Sequence, residues 1–275
     1  IAAIFYKVEM SFIDSHCHLK SFSEQKKLDE ILKRACNSGI NKMITVGTNP
    51  DDWDLYESLA NVHKDTLFYT VGLHPCYVEG NWRSKIKNIK KYWLLDLQPV
   101  ALGEIGLDYF RLPKDKLTAQ KIILFQKECF VEQLRVAKKI GCPVIVHSRN
   151  SFEDCLSLVD QSGVNWKKVV FHCFSEGENK IKQIMERGGA ASFTGNITYS
   201  KNDHLRDSLK FQGITNLMLE TDSPYLTPEP NRREQNEPSN LRQISQYVSS
   251  ILGVSEKEIG EFTSLNTQRF FNLDG

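Results

Sequence analysis

Short apolar runs and longer amphipathic stretches alternate along this chain almost from end to end. Strand-like runs occur at Phe12–Asp14, Lys42–Val46, Leu67–Val71, Val100–Glu104, Pro143–His147, Val169–His172, Ala190–Thr194 and Leu217–Asp222. They are short and rich in valine and isoleucine, as suits strands covered on both faces. Helical spacing recurs between them. Leu28, Ile31, Leu32 and Ala35 form one buried stripe, with Ser21 and Glu24 at capping-box spacing ahead of it and Gly39 closing it. Thr118–Ile140 carries Ile122, Phe125, Phe130, Leu134 and Ala137, and Ile181, Ile184 and Met185 precede a stop at Gly188-Gly189. Tyr199–Gly213, between the seventh and eighth runs, has the least regular pattern. Two more helices are expected near Asn240–Leu252 and Glu256–Phe271.

Eight strand–helix alternations in 275 residues predict an α/β fold, a (β/α)8 TIM barrel with additional C-terminal helices. A doubly wound open sheet is the competing arrangement, but it would not bring eight strand ends round one point. No linker or low-complexity stretch divides the chain, so residues 10–275 are expected to form a single barrel. Met10 lies just before the first strand, and residues 1–9 are read as upstream or non-native sequence.

Composition narrows the partners. With 35 basic and 34 acidic residues the net charge is +1, so any grip on a polyanion must be local. Seven cysteines are scattered without CxxC pairs, and Cys17, Cys142, Cys155 and Cys173 sit in apolar runs or beside candidate-site residues. That usage fits reduced thiols in the cytoplasm. No apolar run approaches the ~20 residues that cross a bilayer, and Ile1–Tyr6 lacks the basic lead of a secretory signal. A monomer is expected, because no apolar surface stripe is left over.

The candidate chemistry lies at the strand ends, where barrels of this kind place their sites. In Asp14-Ser15-His16-Cys17-His18, alternation sets Asp14, His16 and His18 on one face and Cys17 on the other. Glu104, His147, His172 and Asp222 each follow a strand of their own. Four imidazoles and two carboxylates at one mouth suit two divalent cations. His16, His18 and Asp222 would hold one ion, His147 and His172 the other, with Glu104 bridging. Imidazole favours zinc or manganese, whereas magnesium prefers an all-oxygen shell. A shared water would have its pKa lowered to roughly 7, and Asp222 could orient it and take its proton. Taken singly, each residue has a plain structural reading. Jointly they would repel or stay unsatisfied unless something bound them.

His74, at the third strand end, reads as a substrate contact or a loop anchor. Glu220 shares the face of Asp222 and would stand behind the metal, unless a bulge turns it outward. Cys17 and Cys173 are expected to face the helices.

These motifs resemble those of the TatD-type metal-dependent hydrolases, a branch of the metallo-dependent, amidohydrolase-like barrels. The resemblance rests on Asp14–His18, Gly103-Glu104-Ile105-Gly106-Leu107-Asp108-Tyr109, Pro143–Arg149, Phe171-His172-Cys173-Phe174 and Glu220-Thr221-Asp222-Ser223-Pro224-Tyr225-Leu226. It spans the first strand to the last. It implies the same six ligands, including the glutamate bridge, and a deoxyribonuclease activity, often exonucleolytic from a 3′ end. Thr194 and Asn196 depart from the serine and small or apolar residue usual in relatives, and the loop Asn231–Pro238 differs in detail. Both departures bear on substrate preference.

The residues themselves also point to a phosphodiester. Strand order places Arg111, Lys114, Lys116, Arg149, Lys201, Arg232 and Arg233 near the mouth, with Tyr77, Tyr109, Phe110, Phe174, Tyr199 and Tyr225 available to stack on bases. Arg149 is the candidate phosphate clamp and Tyr225 a further substrate contact. Ser223–Glu237 is long for a barrel connection, which leans toward function. A local groove on a near-neutral protein suits single-stranded DNA or duplex ends. Hydrolysis of a carbon ester or amide, such as a lactone or aminoacyl ester, is the alternative. A non-catalytic metal-stabilised module is the third reading.

Overall fold

The computed structural model describes residues 11–273. The reading of residues 1–9 as an extension falls outside them. Eight strands follow one another round the sheet in chain order: β1 (Phe12–Cys17), β2 (Ile40–Thr45), β3 (Leu67–Val71), β4 (Ala101–Asp108), β5 (Val144–Arg149), β6 (Val169–Phe171), β7 (Ala190–Phe193) and β8 (Met218–Leu219). Each pairs in parallel with the next. The connections carry α1 (Lys20–Glu24), α2 (Leu28–Asn37), α3 (Pro50–Val62), α4 (Trp82–Ile86), α5 (Lys116–Ile140), α6 (Phe152–Ser162), α7 (Glu178–Glu186) and α8 (Asp203–Gln212). After β8 come α9 (Leu241–Leu252) and α10 (Glu256–Phe271). This is the expected barrel, nearly closed, with its C-terminal helices.

Apolar residues form two layers. Ile13, Ile44, Ala101, Ile145, Val170, Ala190 and Met218, drawn from seven strands, cluster with Phe271 and Leu273 and fill the barrel interior. A larger cluster packs the outer strand faces against the helices. The seam between β1 and β8 is closed by backbone bonds from Asp222 N to His16 O (2.9 Å) and from His18 N to Ser223 O (2.7 Å), together with side chains. Buried Asp14 accepts from Thr221 N (3.0 Å), Thr221 Oγ1 (2.6 Å) and His16 N (3.3 Å). Ser15 Oγ donates to the Leu219 carbonyl at 3.0 Å. Burial pushes the Asp14 carboxyl up to about 7, against those hydrogen bonds.

Several local expectations need correction. Ser21 and Glu24 lie inside the single turn of α1, and Lys27, the residue before α2, gives that helix no side-chain cap. Acidic Asp29 and Glu30 at its first turn supply the favourable helix-dipole interaction instead. β4 runs on past Glu104 to Asp108, so Glu104 is mid-strand. β8 is two residues long, and Asp222 stands beyond it with φ +52°. Asp14 does not share the environment of His16 and His18. The ladder slips between Asp14 and Cys17, Ile13 enters the interior cluster, and Asp14 turns to the seam.

Three buried glutamines satisfy the backbone of residues in or just past a strand, on the side where the ladder does not continue. Gln133 of α5 accepts from Leu73 N (2.8 Å) and donates to Leu73 O (3.1 Å). Gln126, two helical turns earlier, pairs the same way with Asp108 N and O, at 3.0 and 3.3 Å. Gln212 of α8 does so with Ala191, at 3.0 and 2.9 Å. Each amide copies the donor–acceptor edge of a strand residue. Gln133→Leu would therefore strand a buried N–H and a buried C=O, and unfolding in urea should show a loss of about 2–3 kcal/mol. A loss under about 0.5 kcal/mol, the size of an ordinary surface substitution, would refute this account.

Candidate metal centre

Above the apolar interior, the barrel axis is polar. Glu104, 3% exposed, sits at its middle. Its N–H donates to Gly47 O at 2.9 Å, so β4 leans across the end of β3 toward β2. The ladder with β5 is irregular between Leu102 and Ile105. Two glycines permit this close packing: a Cβ at Gly72 would lie 2.6 Å from Gly103 C, and one at Gly106 (φ +144°) 2.0 Å from His147 O.

The two oxygens of Glu104 face different partners. Oε2 lies 3.4 Å from His16 Nε2 and 3.7 Å from His18 Nε2. Oε1 lies 2.6 Å from His147 Nδ1, 2.7 Å from His172 Nε2 and 3.2 Å from His74 Nε2. Asp222 Oδ1 closes the first group, 3.6 Å from His16 Nε2 and 3.4 Å from His18 Nε2. The structure thus brings together all six residues picked out by their strand-end positions. It adds His74 to the ring and does not leave it at the rim. His172 spans both groups, since its ring stacks on His16 at 4.0 Å. Three sets have ligand atoms close enough to share an ion: His16, His172 and Asp222; His16, His18 and Glu104; His74, Glu104 and His147.

The polar group on the far side of His18, His147, His172 and His74 decides which nitrogen keeps a lone pair, while His16 Nδ1 has no hydrogen-bond partner among the described residues. His18 Nδ1 donates to Val46 O at 3.0 Å, which leaves Nε2 free to coordinate. His147 Nε2 faces Asp108 Oδ2 at 3.3 Å and leaves Nδ1 toward Glu104. His172 Nδ1 faces Glu220 Oε1 at 3.4 Å and leaves Nε2. His74 is the opposite case. Its Nδ1 accepts the Cys76 N–H at 3.1 Å, so in the neutral ring Nε2 carries the proton and points at Glu104 as a donor. Burial lowers its pKa to about 4, which keeps it neutral near pH 7. Geometry alone would allow His74 as a ligand; its tautomer makes it a hydrogen-bond donor.

The carboxylates are held ionised. When the rings carry protons in place of a cation, burial works against the charge of Glu104, but the charge of His172 beside it holds the carboxyl well below the usual range. The same competition, won by a hydrogen bond from His18, lowers Asp222. Asp108 is lowered to about 2, burial being outweighed by His147 and the Arg111 backbone. Buried imidazoles with free lone pairs around ionised carboxylates are the donor set of a divalent cation site, and the chain fits one on that ground.

Glu220 is 1% exposed and accepts from Cys173 N (2.7 Å) and Ser192 Oγ (2.6 Å), behind His172. Asp108 stands behind His147 in the same way. Sequence reasoning gave it no role, although it lies four residues past Glu104 on one strand, at the spacing that returns to the same face. Cys17 packs in the outer core as expected. Cys173 does not: β6 ends at Phe171, Cys173 takes φ +45°, and its side chain lines the cavity.

That cavity, of about 640 Å3, opens over the centre and is lined also by Tyr77, Arg111, Arg149, Asn196 and Tyr225. Tyr225, 60% exposed, has its ring 6.1 Å from His18. Arg149 lies over Phe110, 3.8 Å from the ring centroid. Three expected stacking residues are braces instead. Phe174 is core, the Tyr109 hydroxyl donates to Asp154, and Tyr199 lies under Arg232 with its hydroxyl donating to Thr227 O. The loop after β8 is tied down by Asn236, whose Nδ2 donates to Thr221 O and Tyr225 O. Among the described residues no helix is long and apolar enough to cross a membrane.

The family model described as TatD related DNase matches residues 13–272. YcfH of Escherichia coli K12, an uncharacterized metal-dependent hydrolase, is 30% identical over 268 residues, covering 96% of this chain and 97% of its own. A protein of Erwinia tasmaniensis named 3′-5′ ssDNA/RNA exonuclease TatD is 31% identical over 267 residues, covering 94% and 99%. Among solved structures, that of YjjV, a TatD homolog from E. coli K12, superposes with a TM-score of 0.86 at 26% identity, covering 95% and 98%. Since these matches extend from β1 through α10, the chain belongs to the TatD-related DNase family of metal-dependent hydrolases.

Proposed function

We propose that this chain hydrolyses phosphodiester bonds of DNA, at single strands or free ends and from the 3′ side, using two divalent cations. One observation carries the reading: the two oxygens of Glu104 face two separate groups of imidazoles. A carboxylate so placed suits a bridge between two ions. His16, His18 and Asp222 would hold one, His147 and His172 the other. The imidazole-rich set favours zinc or manganese over magnesium. Such a pair, when bound, lowers the pKa of a shared water toward about 7 and offsets charge on phosphoryl oxygens.

The chain's own residues supply the rest. Asp222 orients the attacking water and accepts its proton, which its depressed pKa allows at neutral pH. The new P–O bond forms as the bond to the leaving sugar oxygen breaks. His74 Nε2–H donates to a phosphoryl oxygen, neutral and already aimed into the site. Arg149 offers a guanidinium to phosphate, and Tyr225 an exposed ring for a base. The name of the Erwinia relative, an exonuclease on single-stranded DNA and RNA, supports the substrate class and the polarity.

Labelled single-stranded DNA, RNA, a lactone and an aminoacyl ester, each with zinc, manganese or magnesium, test the assignment. DNA should be shortened from its 3′ end, and Glu104→Gln and Asp222→Asn should each lower kcat by about 10²–10⁴-fold. Ester turnover without nuclease activity would establish the carbon-ester alternative, and metal uptake without turnover the binding module. Elemental analysis after chelation and reloading should return two ions per chain. Reloading should also raise Tm by roughly 10 °C when free metal greatly exceeds its Kd. The two supporting side chains should separate cleanly. His74→Ala keeps both ions but lowers kcat by about 10²-fold, whereas Asp108→Asn weakens one ion by about 10–100-fold. Loss of an ion from His74→Ala would reassign that ring as a ligand.

A further inference from the structure

Arg149 ends β5 two residues past His147, about 6.6 Å further along the strand. Its backbone is fixed on both sides: N–H donates to Ser151 Oγ at 3.1 Å, and C=O accepts from Tyr109 N–H at 2.9 Å. The guanidinium lies on the face of Phe110, a ring 59% exposed to solvent. Among the described residues Arg149 has no carboxylate in ion-pair contact, although neighbouring Arg111 approaches Asp108 at 4.0 Å. Both arginines line the cavity over the metal centre.

A cation near enough to feel the charge of Asp108 but in ion-pair contact with no carboxylate, and lying on an aromatic ring, keeps N–H edges available for a planar, charge-assisted contact. Its place matters as much as its charge. The phosphate being cleaved belongs at Glu104, among the imidazoles. Arg149 leaves the same strand two residues beyond His147, so its side chain starts farther out than that imidazole and lines the same cavity.

We propose that Arg149, held on Phe110, binds the phosphate next to the scissile one, so that the enzyme selects chains with successive phosphates over single phosphodiesters. The proposal rests on the phosphodiester reading above and adds a subsite to it. It also accounts for how a near-neutral protein could prefer a polyanion, through one fixed contact in place of a broad positive field.

The test compares kcat/KM for a short oligothymidylate with that for thymidine 5′-(p-nitrophenyl phosphate), which has a single diester. Wild type should favour the oligonucleotide. Arg149→Ala should shrink that preference by about 10–100-fold, through KM for the longer substrate. The salt dependence of log KM for the oligonucleotide should become shallower by about 0.7, the share of one phosphate contact on a single strand. Arg149→Lys should recover the salt slope but only part of the preference, since a point charge replaces a planar fork. A preference ratio and salt slope that Arg149→Ala leaves alone would overturn the proposal. Equal losses on both substrates would overturn it too, by moving Arg149 to the scissile phosphate or to the fold. Failure of wild type to cleave either substrate would instead defeat the phosphodiester reading on which it stands.

Discussion

A carboxylate buried on the barrel axis is the constraint around which this structure is arranged. An ionised carboxylate away from water costs several kcal/mol unless opposite charge or donors surround it. Glu104 is ringed by imidazole nitrogens of five histidines between 2.6 and 3.7 Å away, which meet that condition when the rings are protonated or share a cation with it. Those rings come from β1 and the residue just past it, from β5, from the turn after β3 and from the segment that follows β6. To reach them β4 leaves regular pairing with β5 and crosses close above Gly72. The order of strands round the barrel therefore brings the ring together, since its residues come from strands that an open sheet would hold apart.

The parts of this arrangement that follow from periodicity were legible in the sequence. Alternating strands and helices gave the barrel, and six ligand-type residues at the ends of five strand-like runs pointed to the cluster on its axis. What could not be read began with places where the ladder slips. Counting by twos sets Asp14 beside His16, but the slip in β1 sends it to the seam with Thr221. Counting also ends β4 at Glu104, which hid Asp108 four residues on, although the same alternation would have found it in a longer strand. The role of His74 depends on a backbone N–H two residues away, and no spacing rule reports a tautomer. Aromatics near the mouth were over-read for a simple reason. Composition does not distinguish a ring that braces a loop, such as Tyr199 beneath Arg232, from one left open like Tyr225.

The glutamines show how the same molecule can be open and rigid at its mouth. Strand ends must part there to make room for a cavity, and parting strands lose ladder hydrogen bonds that buried backbone cannot do without. β3 and β4 pair at only two positions, as do β7 and β8. Gln133 and Gln126 restore the missing bonds at Leu73 and Asp108, one residue before His74 and on the partner of His147. An amide carried by a helix can do this where another strand cannot, because it ends after one residue and leaves the space above it free. Both glutamines project from α5, so the donor His74 and the orientation of His147 are set by one rigid element outside the barrel. Substrate entering the cavity thus meets groups whose positions were settled by packing on the far side of the sheet, which is the preorganisation that a fixed donor and an aimed lone pair require.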